Sequence, residues 1–81
     1  GDFDLDRLTI YPNPISDYVN IEFSEVLKSV TIYNLLGQIV LTQKVDTDSV
    51  SINLSKLASA VYIVKIVSES GENSVRILKT E

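Results

Sequence analysis

Apolar and polar residues alternate along most of the chain. The segments Tyr18–Phe23 and Ser49–Leu54 place an apolar residue at every second position and a polar one between. A period of two indicates β-strands that bury one face and expose the other. The pattern predicts seven strands: Leu8–Tyr11, Tyr18–Phe23, Ser29–Asn34, Gln38–Lys44, Ser49–Leu54, Val61–Ser68 and Ser74–Lys79. Their centres lie about 10 to 13 residues apart, a spacing typical of an antiparallel sandwich or barrel.

Val61–Val67 is the most apolar of these segments, with Lys65 as its one charged residue. Val61, Ile63 and Val67 are expected on one face, and Tyr62, Val64 and Ile66 on the other. In a two-layer sandwich one of these faces points outward. The pattern therefore indicates either imperfect alternation or an outer surface that packs against another domain or chain.

Turn-forming residues separate the strands. Pro12, Asn13 and Pro14 end the first strand, because proline cannot donate to a sheet and restricts the residue before it. Gly37 is expected in a tight connection that needs a positive φ. Asp46-Thr47-Asp48 is predicted to form another hairpin turn, where aspartate is favoured.

Composition excludes several classes of function. The 81 residues contain no cysteine and no histidine, so disulfides, thiolate nucleophiles and the commonest zinc and copper ligands are missing. The net charge of −4 argues against binding to nucleic acid or anionic membranes. No apolar run is long enough to span a bilayer. We expect no cofactor and no enzymatic activity in so small a chain.

The first seven residues differ from the rest. Asp2, Asp4 and Asp6 alternate with Phe3 and Leu5, which predicts an acidic linker tail over residues 1–7, ahead of one domain over residues 8–81. The aspartate spacing matches the start of a calcium loop, but the glycine and the distal glutamate that complete such a loop are missing.

Six aromatic residues offer one further possibility. A sugar-binding platform needs two or three of Tyr11, Tyr18, Tyr33, Tyr62, Phe3 and Phe23 exposed on one face. The ordinary alternative is that Phe23 and some tyrosines lie in the core, with Tyr62 at a core or corner position.

The order of several short motifs carries a family resemblance over nearly the whole chain, from about Leu8 to the end. These motifs are Leu8–Pro14, Tyr18–Ile21, Val30–Val40, Ile52–Ser55, Val61–Ile66 and Val75–Lys79. Together they resemble the C-terminal sorting domain of the type IX secretion system, also called the Por secretion system. One departure is Ala60, which stands before the Val-Tyr pair where the family usually has glycine.

The resemblance implies an immunoglobulin-like antiparallel β-sandwich of about seven strands at the C-terminus of a larger cargo protein of a Gram-negative bacterium. It implies that the cargo passes through the periplasm and crosses the outer membrane by the type IX translocon. A sortase-like cysteine peptidase then removes the domain, by cleavage N-terminal to Leu8, and the cargo stays on the cell surface or is released.

In such families the C-terminal strand is important for recognition. Carried onto this chain, translocon recognition falls on Val75, Arg76, Ile77, Leu78 and Lys79, with Arg76 and Lys79 guarding a sheet edge against random pairing. The same five residues could instead simply complete the sandwich. Pro12, Asn13, Pro14 and Gly37 are expected to shape turns.

Two functional hypotheses follow. The first is a secretion signal that is cleaved on export. The second is an ancillary adhesion or carbohydrate-binding module that stays on a secreted enzyme. Edge strands also make a strand-swapped dimer plausible.

Overall fold

The computed structural model describes residues 8–12 and 14–80. They form five antiparallel strands: β1 (Thr9–Tyr11), β2 (Tyr18–Tyr33), β3 (Ile39–Asn53), β4 (Ala60–Ser68) and β5 (Gly71–Lys79). Within this part of the chain no helix is long and apolar enough to cross a membrane. The predicted linker tail 1–7, with Asp2, Asp4 and Asp6, lies outside the described residues, as do Asn13 and Glu81.

The strands make one sheet around β2. Strand β3 pairs along one edge of β2 from Tyr18 to Tyr33. The other edge pairs first with β1, opposite Asn20–Glu22, and then with β4, opposite Leu27–Tyr33. Strand β5 completes the sheet as the outer neighbour of β4.

The prediction of an all-β antiparallel fold is confirmed, but the count of seven strands is wrong. The predicted segments Tyr18–Phe23 and Ser29–Asn34 correspond to two parts of β2, and Gln38–Lys44 and Ser49–Leu54 correspond to two parts of β3. Asn34, Gln38 and Leu54 lie one residue beyond the observed strands. The residues between the two parts of each strand contain no glycine or proline, so the backbone stays extended. Asp46-Thr47-Asp48 therefore lies inside β3 and not in a hairpin turn.

The two long strands bend. A straight strand of 16 residues spans roughly 50 Å, yet the longest dimension of the molecule is 34 Å. The register of β2 against β3 shifts between Glu22 and Leu27 and again between Leu27 and Ser29. Bulges of this kind add a local bend and extra twist, which curls the sheet over its own inner face.

The core fills the inside of this bend. It draws on both halves of β2 and on every later strand, and the following residues are buried: Ile15, Val19, Ile21, Phe23, Leu27, Val30, Ile32, Ile52, Leu54, Tyr62, Val64, Ile66 and Ile77. These side chains form one hydrophobic cluster, so both halves of the curled sheet share a single core.

Candidate recognition surface

The last strand presents two different faces. Ile77 is 2% exposed and belongs to the core, and Lys79 is also buried. Arg76 and Leu78 lie on the other face of the strand, and both are exposed, Leu78 by 44%. Val75 is half-buried. Of the five residues predicted for recognition, the structure therefore places only Arg76 and Leu78 where a partner could reach most of the side chain.

Within residues 8–12 and 14–80, the outer edge of β5 is paired only at its C-terminal end. The Leu78 carbonyl accepts a hydrogen bond from the Ile15 N–H at 2.8 Å, and the Thr80 N–H donates to the Ile15 carbonyl at 2.7 Å. Because backbone groups alternate in direction along a strand, the N–H and C=O of Arg76 point to the same edge. Among the described residues no strand pairs with this outer edge of β5 before Leu78. Lys79 does not guard this edge, since Ile15 covers it there.

Strand β4 also has an inner and an outer face. Tyr62, Val64 and Ile66 are buried, whereas Val61 and Ile63 are only half-buried. The register places Val61 beside Leu78 and Ile63 beside Arg76 of β5. The outer face of β4 is thus apolar and partly accessible, as the alternation along this segment predicts.

The side chain of Asn34 adds hydrogen bonds to the backbone ones that close the hairpin between β2 and β3. The Asn34 Oδ1 accepts hydrogen bonds from the backbone N–H groups of Leu36, at 2.9 Å, and Gln38, at 3.0 Å. Asn34 Nδ2 donates to Gln38 Oε1 at 2.8 Å. Gly37 has a φ of +84°, so the prediction of a positive-φ turn there is confirmed. The loop presents Leu36, which is 85% exposed, and Leu35 to solvent.

The proline-containing connection leads from β1 to the edge of β5. Pro12 and Pro14 are exposed, and Ile15, directly after Pro14, is fully buried and makes the bridge to β5. Asp17 then accepts a backbone hydrogen bond from Leu54 at 2.6 Å. These prolines therefore shape a connection that fixes the end of β5, and the Asn13 between them lies outside the described residues.

A carboxylate joins the bend of β2 to the last hairpin. Glu25 Oε1 accepts hydrogen bonds from Ser68 Oγ at 2.7 Å, from Ser70 Oγ at 2.5 Å and from the Ser70 N–H at 3.2 Å. Sequence reasoning missed Glu25, Asn34 and Ile15. Asn34 could have been found from its place before Leu-Leu-Gly, but nothing in the sequence marks a contact between Glu25 and residues more than forty positions away.

The opposite half of the sheet carries a shallow polar cleft of about 220 Å³ on its outer face, next to Tyr11. It is lined by Tyr11, Asn20, Ile21, Glu22, Ser49, Val50 and Ser51. Tyr11 donates a hydrogen bond from its hydroxyl to Glu22 Oε2 at 2.6 Å. This bond, with smaller contributions from desolvation and from the charge of Glu22, raises the pKa of the Tyr11 phenol above its ordinary value.

The tyrosines divide between core and surface. Tyr62 is buried, and its hydroxyl donates to the Ala58 carbonyl at 2.7 Å, in agreement with the predicted core or corner position. Tyr11 and Tyr18 are both exposed on the same outer face, because Tyr11 pairs with Asn20 and Tyr18 lies two residues before it. Among the described residues there is no group of three or more metal-binding side chains.

Comparison with known proteins gives a family match and several relatives. The model of the family described as "Secretion system C-terminal sorting domain" matches residues 9–80. Beta-agarase D of Zobellia galactanivorans is 33% identical over 67 residues, which cover 83% of this chain and 13% of the agarase. Ulvan lyase NLR42 of Nonlabens ulvanivorans is 32% identical over 65 residues, or 78% of this chain and 12% of the lyase.

A solved structure shares the fold. It comes from work on PorZ, a bacterial surface component of the type-IX secretion system of Porphyromonas gingivalis, and it matches with a TM-score of 0.76 and 25% identity. The match covers 95% of this chain and 12% of that one. The chain therefore spans about an eighth of the length of these proteins.

Proposed function

The chain belongs to the family of secretion-system C-terminal sorting domains, and on that premise we propose that it directs a larger cargo protein across the outer membrane by the type IX secretion system. The family match over residues 9–80 carries this proposal. The family is a secretion-signal family and not a catalytic one, in agreement with the expectation that the chain is not an enzyme.

The cargo is a separate, larger part of the same protein. The relatives carry names of polysaccharide-degrading enzymes and match this chain over about an eighth of their length. This supports a modular arrangement in which the sorting domain is fused to a folded enzyme or another secreted protein. Transit of that cargo through the periplasm precedes its arrival at the cell surface or in the medium.

The curled sheet has the two-layer architecture of an immunoglobulin-like sandwich. One layer combines β1 with the first half of β2 and the second half of β3. The other layer combines the second half of β2 with the first half of β3 and with β4 and β5. The shared core between these layers supports this interpretation.

Recognition by the translocon uses the outer face of the last strand. Arg76 and Leu78 contact the partner, whereas Ile77 and Lys79 point inward and keep the strand in place. The outer edge of β5 before Leu78, which no other described strand pairs with, adds backbone groups that a partner strand can pair with. The two roles expected for these residues, recognition and completion of the fold, are thereby divided between alternate side chains.

The domain is removed after transport by a sortase-like cysteine peptidase that cuts before Leu8. Cleavage there leaves every described strand and the hydrophobic cluster intact, because both lie after Leu8. The predicted strand-swapped dimer is checked separately by light scattering over a dilution series, in which a constant monomer mass would contradict it.

The experiment is an export assay. The 81 residues are fused behind a fluorescent reporter with a periplasmic signal peptide, in a bacterium with a working type IX system. Deleting the last strand would also remove Ile77 from the core, so the informative variant is Arg76→Ala with Leu78→Ala. Val26→Ala with Lys56→Ala is the matched control, because both of these residues are exposed elsewhere.

The proposal predicts that the intact fusion reaches the surface or medium with a reduced mass. It also predicts that the Arg76/Leu78 variant accumulates in the periplasm while the control is exported. An intact fusion that stays in the periplasm of a host exporting its own cargo would contradict the proposed function. Equal export of both variants would contradict the role of Arg76 and Leu78.

A second candidate function is carbohydrate binding, favoured by one observation. Tyr11 and Tyr18 are exposed on one face beside the polar cleft, as a small sugar platform requires. The Glu22 carboxylate in the cleft favours neutral over anionic sugars. Titration with neutral disaccharides by NMR would support this function through shifts at Tyr11 and Tyr18 that a Tyr11→Ala variant abolishes. The absence of shifts at millimolar sugar would exclude it.

A further inference from the structure

An apolar stripe crosses four strands on the outer face of the sheet. It consists of Ile39 on β3, Tyr33 on β2, Ile63 and Val61 on β4, and Leu78 on β5. The register pairs Tyr33 with both Ile39 and Ile63, and it pairs Val61 with Leu78. Paired residues of antiparallel strands share a face, so these five side chains form one continuous surface.

This stripe is accessible along its whole length. Ile39 is 60% exposed and Leu78 is 44% exposed at its two ends, while Tyr33, Val61 and Ile63 between them are half-buried. On the other side of the register shift between Ile32 and Tyr33, Thr31 and Thr42 join their hydroxyl oxygens at 3.2 Å, so β2 and β3 also share a face there. A contiguous apolar surface of this kind marks an interaction site in a small domain.

The summed charge around the stripe is opposite in sign to the net charge of the whole chain. Arg76 lies beside Ile63, and Lys65 and Lys44 lie on the same face through their pairing with Ser74 and Ser29. The acidic residues there are Glu72, which contacts Lys65 at 3.5 Å, and Asp46, which is exposed two positions after Lys44 along β3. Three basic groups against these two acidic groups give the described part of this face a small positive balance, in a chain whose net charge is −4.

We propose that the apolar stripe docks a protein segment that combines apolar side chains with carboxylates, one of which pairs with Arg76. This inference rests on the proposed function for the place of the partner, which lies in the export machinery. It extends the recognition surface from the last strand across β4 and β2 to β3. A second copy of the same face is disfavoured as the occupant, because it would bring like charges together.

The first test uses residues of the stripe outside β5. In the export assay, Ile39→Ser with Ile63→Ser is compared with Val26→Ser, an exposed apolar residue in the bend of β2. Loss of these two apolar contacts, one at the end of the stripe and one at its centre, is expected to reduce export about tenfold or more, and the control is expected to match the intact domain. Urea unfolding of each purified 81-residue domain shows that the variants remain folded.

The outcomes separate the two proposals. Failure of the intact fusion to be exported overturns the proposed function. Normal export of the intact fusion together with normal export of the folded Ile39/Ile63 variant overturns the docking stripe alone. If the Ile39/Ile63 variant does not fold, the substitution Ile39→Ser by itself decides, because that side chain is mostly in solvent.

A second test identifies the partner segment and asks whether it contains carboxylates. A photo-crosslinking residue replaces Leu78 in one fusion and Ser51, on the opposite half of the sheet, in another. A crosslink from position 78 to a partner segment that contains aspartate or glutamate supports the proposal, provided that Arg76→Glu weakens it and Arg76→Lys retains it. A crosslinked segment without carboxylates, or equal crosslinking from position 51, overturns it.

Discussion

Two adjacent residues of β5 allow stability and recognition to be separated. Ile77 is 2% exposed and lies in the core, whereas Leu78 is 44% exposed on the opposite face. Truncation of a fully buried isoleucine to alanine costs about 3 kcal/mol, within a range of roughly 2 to 5. Leu78 has a little over half of its surface buried, so Leu78→Ala is expected to cost about 1 kcal/mol.

These values are large against the stability of the domain. A chain of 81 residues is expected to unfold with a free energy of about 4 to 12 kcal/mol. Ile77→Ala therefore removes a substantial part of the stability and lowers the amount of folded domain. Leu78→Ala leaves the domain folded, and its effect on export then reports on recognition.

The assay is equilibrium unfolding in urea, followed by tyrosine fluorescence, since the chain has four tyrosines and no tryptophan. With a slope of about 1.5 kcal/mol per molar, the midpoint should fall by about 2 M for Ile77→Ala and by about 0.7 M for Leu78→Ala. Ile77→Val is the graded control and should cost about 1 kcal/mol. A midpoint shift for Leu78→Ala as large as that for Ile77→Ala would refute the assignment of the two faces.

Three further predictions concern single side chains. Asn34→Ala removes two backbone hydrogen bonds from the β2–β3 hairpin and should cost about 1 to 2 kcal/mol in urea unfolding, whereas an unchanged midpoint would contradict the account of this loop. Glu25→Ala should lower the free energy of unfolding by about 2 kcal/mol, because Ser68 and the Ser70 groups lose their acceptor. Amide exchange at the β4–β5 turn should also accelerate, and unaltered exchange would contradict the role of Glu25 in joining β2 to this turn. The Tyr11 phenol should titrate above its ordinary pKa of about 10, and Glu22→Gln should bring it closer to that value in a spectrophotometric titration. Because the folded-state pKa is the higher one, the contribution of this hydrogen bond is complete below about pH 10 and is lost as the pH rises through the raised pKa. A phenol that titrates identically in the Glu22→Gln variant would exclude the contact.

The sequence predicts the local features of this fold well. The alternation in Tyr18–Phe23 identifies both the strand and its buried face correctly, because successive side chains of a strand point to opposite faces. In Val61–Ser68 the pattern identifies the strand, but both faces are apolar and it leaves open which one is buried. Gly37 marks its turn because a positive φ has few other occupants. The family resemblance also rests on such local spacing, and the family match confirms it.

Long-range features were beyond these patterns. A strand that bends through bulges has the same composition as two strands joined by a loop, so the pattern predicts breaks at Ser24–Lys28 and at Asp46–Asp48 where the structure has bent strands. The parallel bridge between Ile15 and Lys79 joins residues that are far apart in the sequence, and no local pattern predicts it. The apolar stripe likewise depends on register across four strands, although the outer residues of β4 already indicated part of it.

The dependence of export on the translocon tests the central claim most directly. The intact 81-residue domain, fused to the reporter, is placed in two hosts that differ only in a working type IX translocon, and the extracellular and periplasmic reporter is measured in each. The account predicts reporter at the surface or in the medium of the first host and retention in the periplasm of the second. The same distribution in both hosts would contradict it.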